Sequence, residues 1–313
     1  MTFKRPSNKT IYIIAAAVVI ALNLYTFVVA YPQTYTPSHG ITPTAPILAK
    51  DFSAYYMGAW RLWNSPTHIY VNSTFTGEPI IKPYPEMYKY LPSFLLVVSP
   101  FLSLSYQQAL TAFDIIQLLM LPAMAFFLYK ILGGKPFVVT LIVMVIALLM
   151  PYPTAQWGFS ASYYWQWGEG QAKVFILFLL LLSLYLGWRG KPVLSGVAFA
   201  FGFFDPRFGL LAIPLFVSYN RQNIKTAFAS AVGSILLSNA MLLVPGMRTS
   251  FVAMVFSQAV TTPLFYYSLI PLVTLSVLIA VNFKEEGQAF GLVRTKTKME
   301  TTQKTNSDEK VPV

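Results

Sequence analysis

Cysteine is absent from this 313-residue chain, and histidine occurs only at His39 and His68. No disulfide framework and no thiolate metal site can be built without cysteine. Two histidines are too few for a histidine-built metal centre. Negative charge is almost as scarce, with eleven Asp and Glu against 22 Lys and Arg. Five of those acids fall in the tail from Lys284 on, which leaves Asp51, Glu78, Glu86, Asp114, Glu169 and Asp205 for the rest of the chain. Charged residues of both signs make up 11% of the sequence, where a soluble domain carries roughly a quarter. Such a chain cannot cover itself with a wettable surface. The net charge of +11 is scattered over short segments rather than clustered. That argues against a nucleic-acid partner and fits anchoring against membrane lipids with anionic head groups.

What is abundant is apolar: 56% of residues are hydrophobic and the mean hydropathy is +0.57. Apolar runs recur at about the 20 residues that a helix needs to cross hydrocarbon. The reading is an all-α polytopic membrane protein with roughly eight to nine membrane segments. The first run, "IYIIAAAVVIALNLYTFVVAY" at 11–31, is too long for a signal-peptide core and reads as a retained anchor. Lys4, Arg5 and Lys9 precede it, which places the N-terminus in the cytoplasm of a multi-pass cell-membrane protein. A large external loop, 32–91, follows, with an interfacial helix inside it. The apolar "LPSFLLVVSPFLSL" is broken by proline and short for a full span. Gln107 to Leu132 is a full span ending at Lys130 and Lys135, and Phe137 to Met150 goes back out. A second external loop, "PYPTAQWGFSASYYWQWGEGQ", precedes Ala172 to Trp188. The run Val193 to Val217 is interrupted at "FDPRF" and reads as two half-helices meeting at Asp205 and Pro206. Thr226 to Val244, an amphipathic link "GMRTSFVAMVFSQAV" and Pro263 to Phe283 complete a membrane domain over 1–283. Residues 284–313 have the composition of a disordered cytoplasmic tail.

On this topology Asp51, Glu78, Glu86, Glu169 and Asp205 open to the external face. Asp51 stands in the first turn of "DFSAYYMGAWRLW", where a carboxylate can simply complement the helix dipole or act chemically. Phe52, Tyr56, Trp60 and Trp63 share one face, suited to the lipid–water boundary, and Asp51, Tyr55 and Leu62 share another. Glu169 and Lys173 are spaced i,i+4 and form either an intrahelical ion pair or part of a site. Asp114 lies within an apolar span, where a lone carboxylate is expensive. A structural hydrogen bond with Gln117 is expected for it. The rings of "WGFSASYYWQWGEGQ" suit an interfacial aromatic belt, or a platform for sugar faces. Asn72-Ser73-Thr74 fits a glycosylation sequon on the external side.

Read together, "DFSAYYMGAWRLW", "SPTHIY" and "YKYLPSFLLVVSPFLSLS" resemble the first-loop signature of glycosyltransferase family 87, a GT-C-like family of membrane sugar transferases. "GEGQAKVFILFLLLLSLYLGWRGKPVLSGVAFAFGFFDPRFGLLAIPLF" is similar to that family's Gly-Gln step, apolar span, basic turn and Pro-containing return. The chain has Glu169 where the family tends to have Asn, and Asp205 where it tends to have Lys. The resemblance implies an inverting hexosyltransferase with a polyprenyl-phosphate sugar donor, typically of mannose, and a lipid or glycan acceptor. It implies Asp51 as catalytic base, with Arg61, Lys173 and Arg207 on the donor phosphate. Tyr55, Tyr56, Glu169, Gln171 and Asp205 would line the substrate pocket, and no cofactor or metal is implied. The alternatives are a membrane transporter, which would place ionisable residues in several spans, and a catalytically inactive GT-C-like protein.

Overall fold

The computed structural model describes residues 50–71, 77–79, 88–131, 167 and 170–261, with Thr10 and scattered helical residues of the first apolar run between 13 and 28. The side chains of 50, 206, 207, 211 and 257–261 are outside that description. Among the described residues every regular element is helical. The elements are α1 (Lys50–Asn64), α2 (Ser93–Val98), α3 (Tyr106–Ile131), α4 (Lys173–Trp188), α5 (Pro192–Gly202), α6 (Pro206–Tyr219), α7 (Ile224–Ser238) and α8 (Pro245–Thr261).

Helix α3 has 26 residues and a mean hydropathy of 1.8, hence a length of roughly 39 Å against about 30 Å of hydrocarbon. It is the one described helix long and apolar enough to cross a membrane. Helix α4 runs beside it in the same direction. Near their starts, Phe113 and Phe175 both pack on Phe94, and farther along Phe127 stacks on Tyr185 at 5.0 Å. The end where α3 and α4 begin is called the upper end below. Helix α4 closes at Gly190, whose φ of 68° disfavours any side chain. There Lys191 N–H donates to the Leu186 carbonyl at 2.9 Å, which satisfies one of the last free acceptors of the helix.

The break expected at "FDPRF" is present between α5 and α6. Proline lacks the N–H needed to continue α5 but suits the first position of a new helix, and Asp is a favoured residue just before it. The two helices fold back on each other. Asn220 Nδ2 donates to Ser195 Oγ at 2.9 Å near the open end, and Phe199 meets Phe216 at 4.4 Å halfway up. At roughly 16 and 21 Å, neither helix matches a full bilayer core. The tip of this half-depth hairpin reaches the upper end, where Leu91 N–H donates to the Phe204 carbonyl at 3.1 Å and Phe94 stacks on Phe204 at 3.9 Å.

Small residues let α5 and α7 approach. A side chain on Gly196 would collide with the Ala227 carbonyl oxygen and lie 2.7 Å from the Ala231 amide nitrogen. Ser183 and Ser195 exchange hydroxyl-to-carbonyl bonds of 2.8 and 2.9 Å between α4 and α5. Such polar links and close backbones are what hold helices together where burial of apolar surface gives no drive. Helix α7 returns to the upper end, and there Asn239 Oδ1 accepts the Ser93 N–H at 2.9 Å. Helix α8 follows, with Met247, Phe251 and Met254 on one stripe. Phe251 packs on Tyr70 at 5.2 Å.

One expectation about α1 fails. Phe52 through Ala59 are all buried, so Phe52 and Tyr56 do not face lipid, and only Trp63, 64% exposed, keeps that character. The reason is that both sides of α1 are covered by protein. The upper turns of α3 bring Tyr106 and Phe113 onto Phe52, while Tyr88, Tyr90 and Phe94 pack on Tyr55. The expected spans at Phe137–Met150 and Pro263–Phe283, the sequon at Asn72, Glu86, Glu169, most of the second external loop and the tail lie outside the described residues.

Candidate functional site

Three chain segments distant in sequence meet at the upper end, and Tyr55 lies at their centre. Asp51 occupies the first turn of α1, partly exposed, with Tyr55 one turn on along the same face. Burial raises the Tyr55 hydroxyl well above the usual phenol range, and the Tyr90 hydroxyl and the Asp51 carboxylate add to that shift. A hydrogen bond with the Ala172 backbone opposes it, the sense expected of an amide N–H donating to the phenol oxygen. Ala172 is the residue just before α4, and Lys173 is the first residue of that helix. Asp51 is therefore tied, through one tyrosine, to the start of α4. Gln171, the residue before Ala172, and Lys173 are both partly buried there.

The second link runs through Tyr88, whose hydroxyl donates to the Leu91 carbonyl at 2.6 Å. Its ring meets Tyr55 edge-on at 6.5 Å. Burial raises its hydroxyl well above the usual range, and Tyr70, Tyr90 and Asp205 contribute. Asp205, at the hairpin tip, is 2% exposed. So Asp51, Tyr55, Gln171, Lys173 and Asp205 all stand at the upper end, where α4 and α6 begin. Oriented N–H groups at such termini favour anions.

Two expected members stand elsewhere. Arg61 lies ten residues after Asp51, roughly 15 Å along α1. It is buried at 4%, its Nε donates to Glu78 Oε1 at 2.6 Å, and its Nη1 donates to the His68 and Val71 carbonyls at 3.2 and 2.7 Å. This guanidinium holds the loop after α1 and is remote from Asp51. Tyr56 points away from Tyr55: its ring meets Tyr106 edge-on at 5.5 Å and its hydroxyl donates to the Leu104 carbonyl at 2.8 Å. The backbone of Arg207 sits in the first turn of α6, and its side chain, like Glu169, is outside the described residues.

Sequence reasoning passed over Tyr88 and Tyr90, the residues that join α1 to the hairpin tip. The available signal was "YKYLP", in which two tyrosines two positions apart in an extended segment point the same way. Asp114 also differs from expectation. It is fully buried, and neither carboxylate oxygen has a hydrogen-bond partner, so the bond to Gln117 is not made. The residue before it, Phe113, touches Phe52, Tyr55 and Phe94.

A model of the family described as Glycosyltransferase family 87 matches residues 88–281, well over half of the chain. The match begins at Tyr88 and takes in α2 through α8. Asp51, Tyr55, Tyr56 and Arg61 precede it. No curated protein and no solved structure matches the chain.

Proposed function

The chain belongs to glycosyltransferase family 87, and from that premise we propose that it is an inverting hexosyltransferase whose catalytic base is Asp51. The donor is a polyprenyl-phosphate sugar, with mannose as the hexose, the acceptor is a lipid or glycan hydroxyl, and the reaction takes place at the external membrane face. One observation carries the reading: the Asp51 carboxylate acts on Tyr55, whose phenol oxygen bonds the backbone at Ala172, next to Lys173. The reading takes Asp51 as the base and Lys173, the first residue of α4, as the cation that works beside it.

The chemistry follows from those roles. Asp51 accepts the proton of the acceptor hydroxyl as its oxygen attacks the anomeric carbon, a contribution of typically 10²–10⁴-fold. The bond from the anomeric carbon to the phosphate oxygen breaks, its electron pair leaves on the lipid phosphate, and the anomeric centre inverts through an oxocarbenium-like state. Lys173 and Arg207, with the first N–H groups of α4, are the groups proposed to hold that anion, Lys as a point charge and Arg bidentately. The buried phenols of Tyr55 and Tyr88 stay neutral and form a wall that keeps Asp51 and the donor in register.

The test is transfer of labelled hexose from a polyprenyl-phosphate donor by membranes containing the chain. The wild type is expected to make labelled product, and Lys173→Ala is expected to raise the donor KM about tenfold for one lost charge-assisted contact. No product from any polyprenyl-phosphate hexose would overturn the reading.

A further inference from the structure

The lower end, opposite the site, carries cations that the mechanism above does not use. Helices α3, α4 and α6 finish there, and α5 and α7 start there. Lys130, Arg189, Lys191, Arg221 and Lys225 stand at that end, and all five are exposed. None of the four described acids lies among them. Asp51 and Asp205 are at the upper end, Glu78 pairs with Arg61, and Asp114 precedes Lys130 by roughly 24 Å along α3.

Two of the five are set apart by what lies beneath them. Lys130 Nζ stands 5.6 Å from the centre of the Phe126 ring, and the Arg189 guanidinium carbon stands 6.0 Å from that of Tyr185. Those two rings are 6.0 Å apart, and Trp188 packs on Tyr185 at 5.8 Å. Cations of two neighbouring helices thus rest on one floor of touching rings. A ring face attracts a cation within about 6 Å but does not neutralise it. From Lys130 an apolar stripe runs up α3. Ile115, Leu119 and Phe126 share its face at helical spacing, and they are 46%, 68% and 47% exposed. From Ile115 to Phe126 is roughly 16 Å, about half of the 30 Å of hydrocarbon and so the depth of one leaflet.

The geometry points to a binding site for one anionic phospholipid at the lower end of the α3–α4 seam, its phosphate on Lys130 and Arg189 and an acyl chain along the Ile115–Leu119–Phe126 stripe. An arginine meets phosphate oxygens bidentately and a lysine as a point charge. A soluble anion would meet the two charges and leave the stripe bare. A zwitterionic lipid would cover the stripe but bring its own cation against Lys130 and Arg189. An anionic lipid answers both features. Trp188, half exposed beside Tyr185, suits the level of the head groups. Lys191, Arg221 and Lys225 widen the positive field that draws such lipids to that leaflet. The site is independent of the chemistry at the upper end, from which the length of α3 separates it.

The experiment is native mass spectrometry of the full chain in detergent, with phosphatidylglycerol and phosphatidylcholine of identical acyl chains added together. The wild type is expected to retain one phosphatidylglycerol at least about tenfold more tightly than phosphatidylcholine, as charge-assisted contacts to phosphate allow. The double variant Lys130→Gln, Arg189→Gln is expected to lose that preference while its binding of phosphatidylcholine is unchanged. Lys191→Gln, Lys225→Gln, which removes two cations of the same end that do not rest on the rings, is expected to keep it. Both lipids compete for the same folded molecules, so the preference does not depend on how much of a variant folds. Equal retention of the two lipids by the wild type would overturn the inference, as would a Lys130, Arg189 variant that keeps the preference. Equal loss in the two double variants would overturn it by showing a diffuse field rather than a site. Displacement of the lipid by soluble glycerophosphoglycerol at the same concentration would overturn it by showing a site for a free anion.

Discussion

Breaking the pair between Arg61 and Glu78 should be among the most damaging single changes available at the upper end. The Nε–Oε1 separation is 2.6 Å and the two side chains are 4% and 2% exposed. Glu78 Oε2 has no hydrogen-bond partner. Arg61→Ala therefore leaves a buried carboxylate without its cation, and it removes the donor to the His68 and Val71 carbonyls. Removing one partner of such a pair costs about 3–5 kcal/mol. At about 2–4 °C per kcal/mol, the upper-size range of single domains, the thermal midpoint should fall by about 6–20 °C. The double change Arg61→Met, Glu78→Met removes both charges and keeps apolar volume. Its cost should be only the about 1–3 kcal/mol of the Val71 carbonyl left unbonded, since the His68 carbonyl keeps the Val71 N–H at 3.1 Å. Midpoints would be read from tryptophan fluorescence in detergent. Because the chain has no cysteine of its own, Ile69→Cys supplies a single thiol at a fully buried position beside the pair. Its maleimide labelling should be slow with Arg61 present and fast without it. A midpoint for Arg61→Ala within measurement error of the wild type would refute the argument. So would a double variant as unstable as the single one.

Further outcomes follow from other contacts. Gly196→Val should destabilise the chain by at least about 1–3 kcal/mol, because the added side chain meets the Ala227 and Ala231 backbone, which cannot turn aside; urea unfolding of the α5–α7 pair by hydrogen exchange checks this. Asn239→Ala leaves the buried Ser93 N–H unpaired and should cost about 1–3 kcal/mol, with faster exchange of that amide as the readout. Tyr55 and Tyr88 have hydroxyls raised above the ordinary phenol value by burial. Their neutral forms are thus favoured by folding, so their share of stability is fully present below the unfolded phenol value of about 10 and is lost as pH rises above it. A spectrophotometric titration should show fewer than the full 19 tyrosines ionising near that value, with the remainder appearing only as the protein unfolds. Tyr55→Phe and Tyr88→Phe should reduce that late fraction.

The sequence made some of this legible and hid the rest for physical reasons. The hairpin of α5 and α6 was readable because Asp205-Pro206 is a local signal: proline ends one helix and begins the next. Helix α3 was readable from apolar length alone. The setting of α1 was not, since an aromatic stripe suits a lipid boundary and a protein groove equally, and only the return of Tyr88–Phe94 and α3 decides between them. The partnership of Arg61 with Glu78 spans a loop with no periodicity, so nothing local announces it. Asp51, Lys173 and Asp205 were singled out as scarce charges beside apolar runs. Tyr55 was named with them, but Tyr88 and Tyr90 were not, because a phenol that bridges two segments looks in sequence like any other aromatic residue.

The most direct test of the account is the rate of sugar transfer by Asp51→Asn. The substitution keeps the size and the position at the start of α1 but cannot take a proton from the acceptor. With saturating donor and acceptor, the transfer rate should fall by about 10²–10⁴-fold while the donor KM and thermal midpoint stay at wild-type values. A variant that folds as the wild type does and transfers sugar at a comparable rate would contradict the assignment of Asp51 as the base.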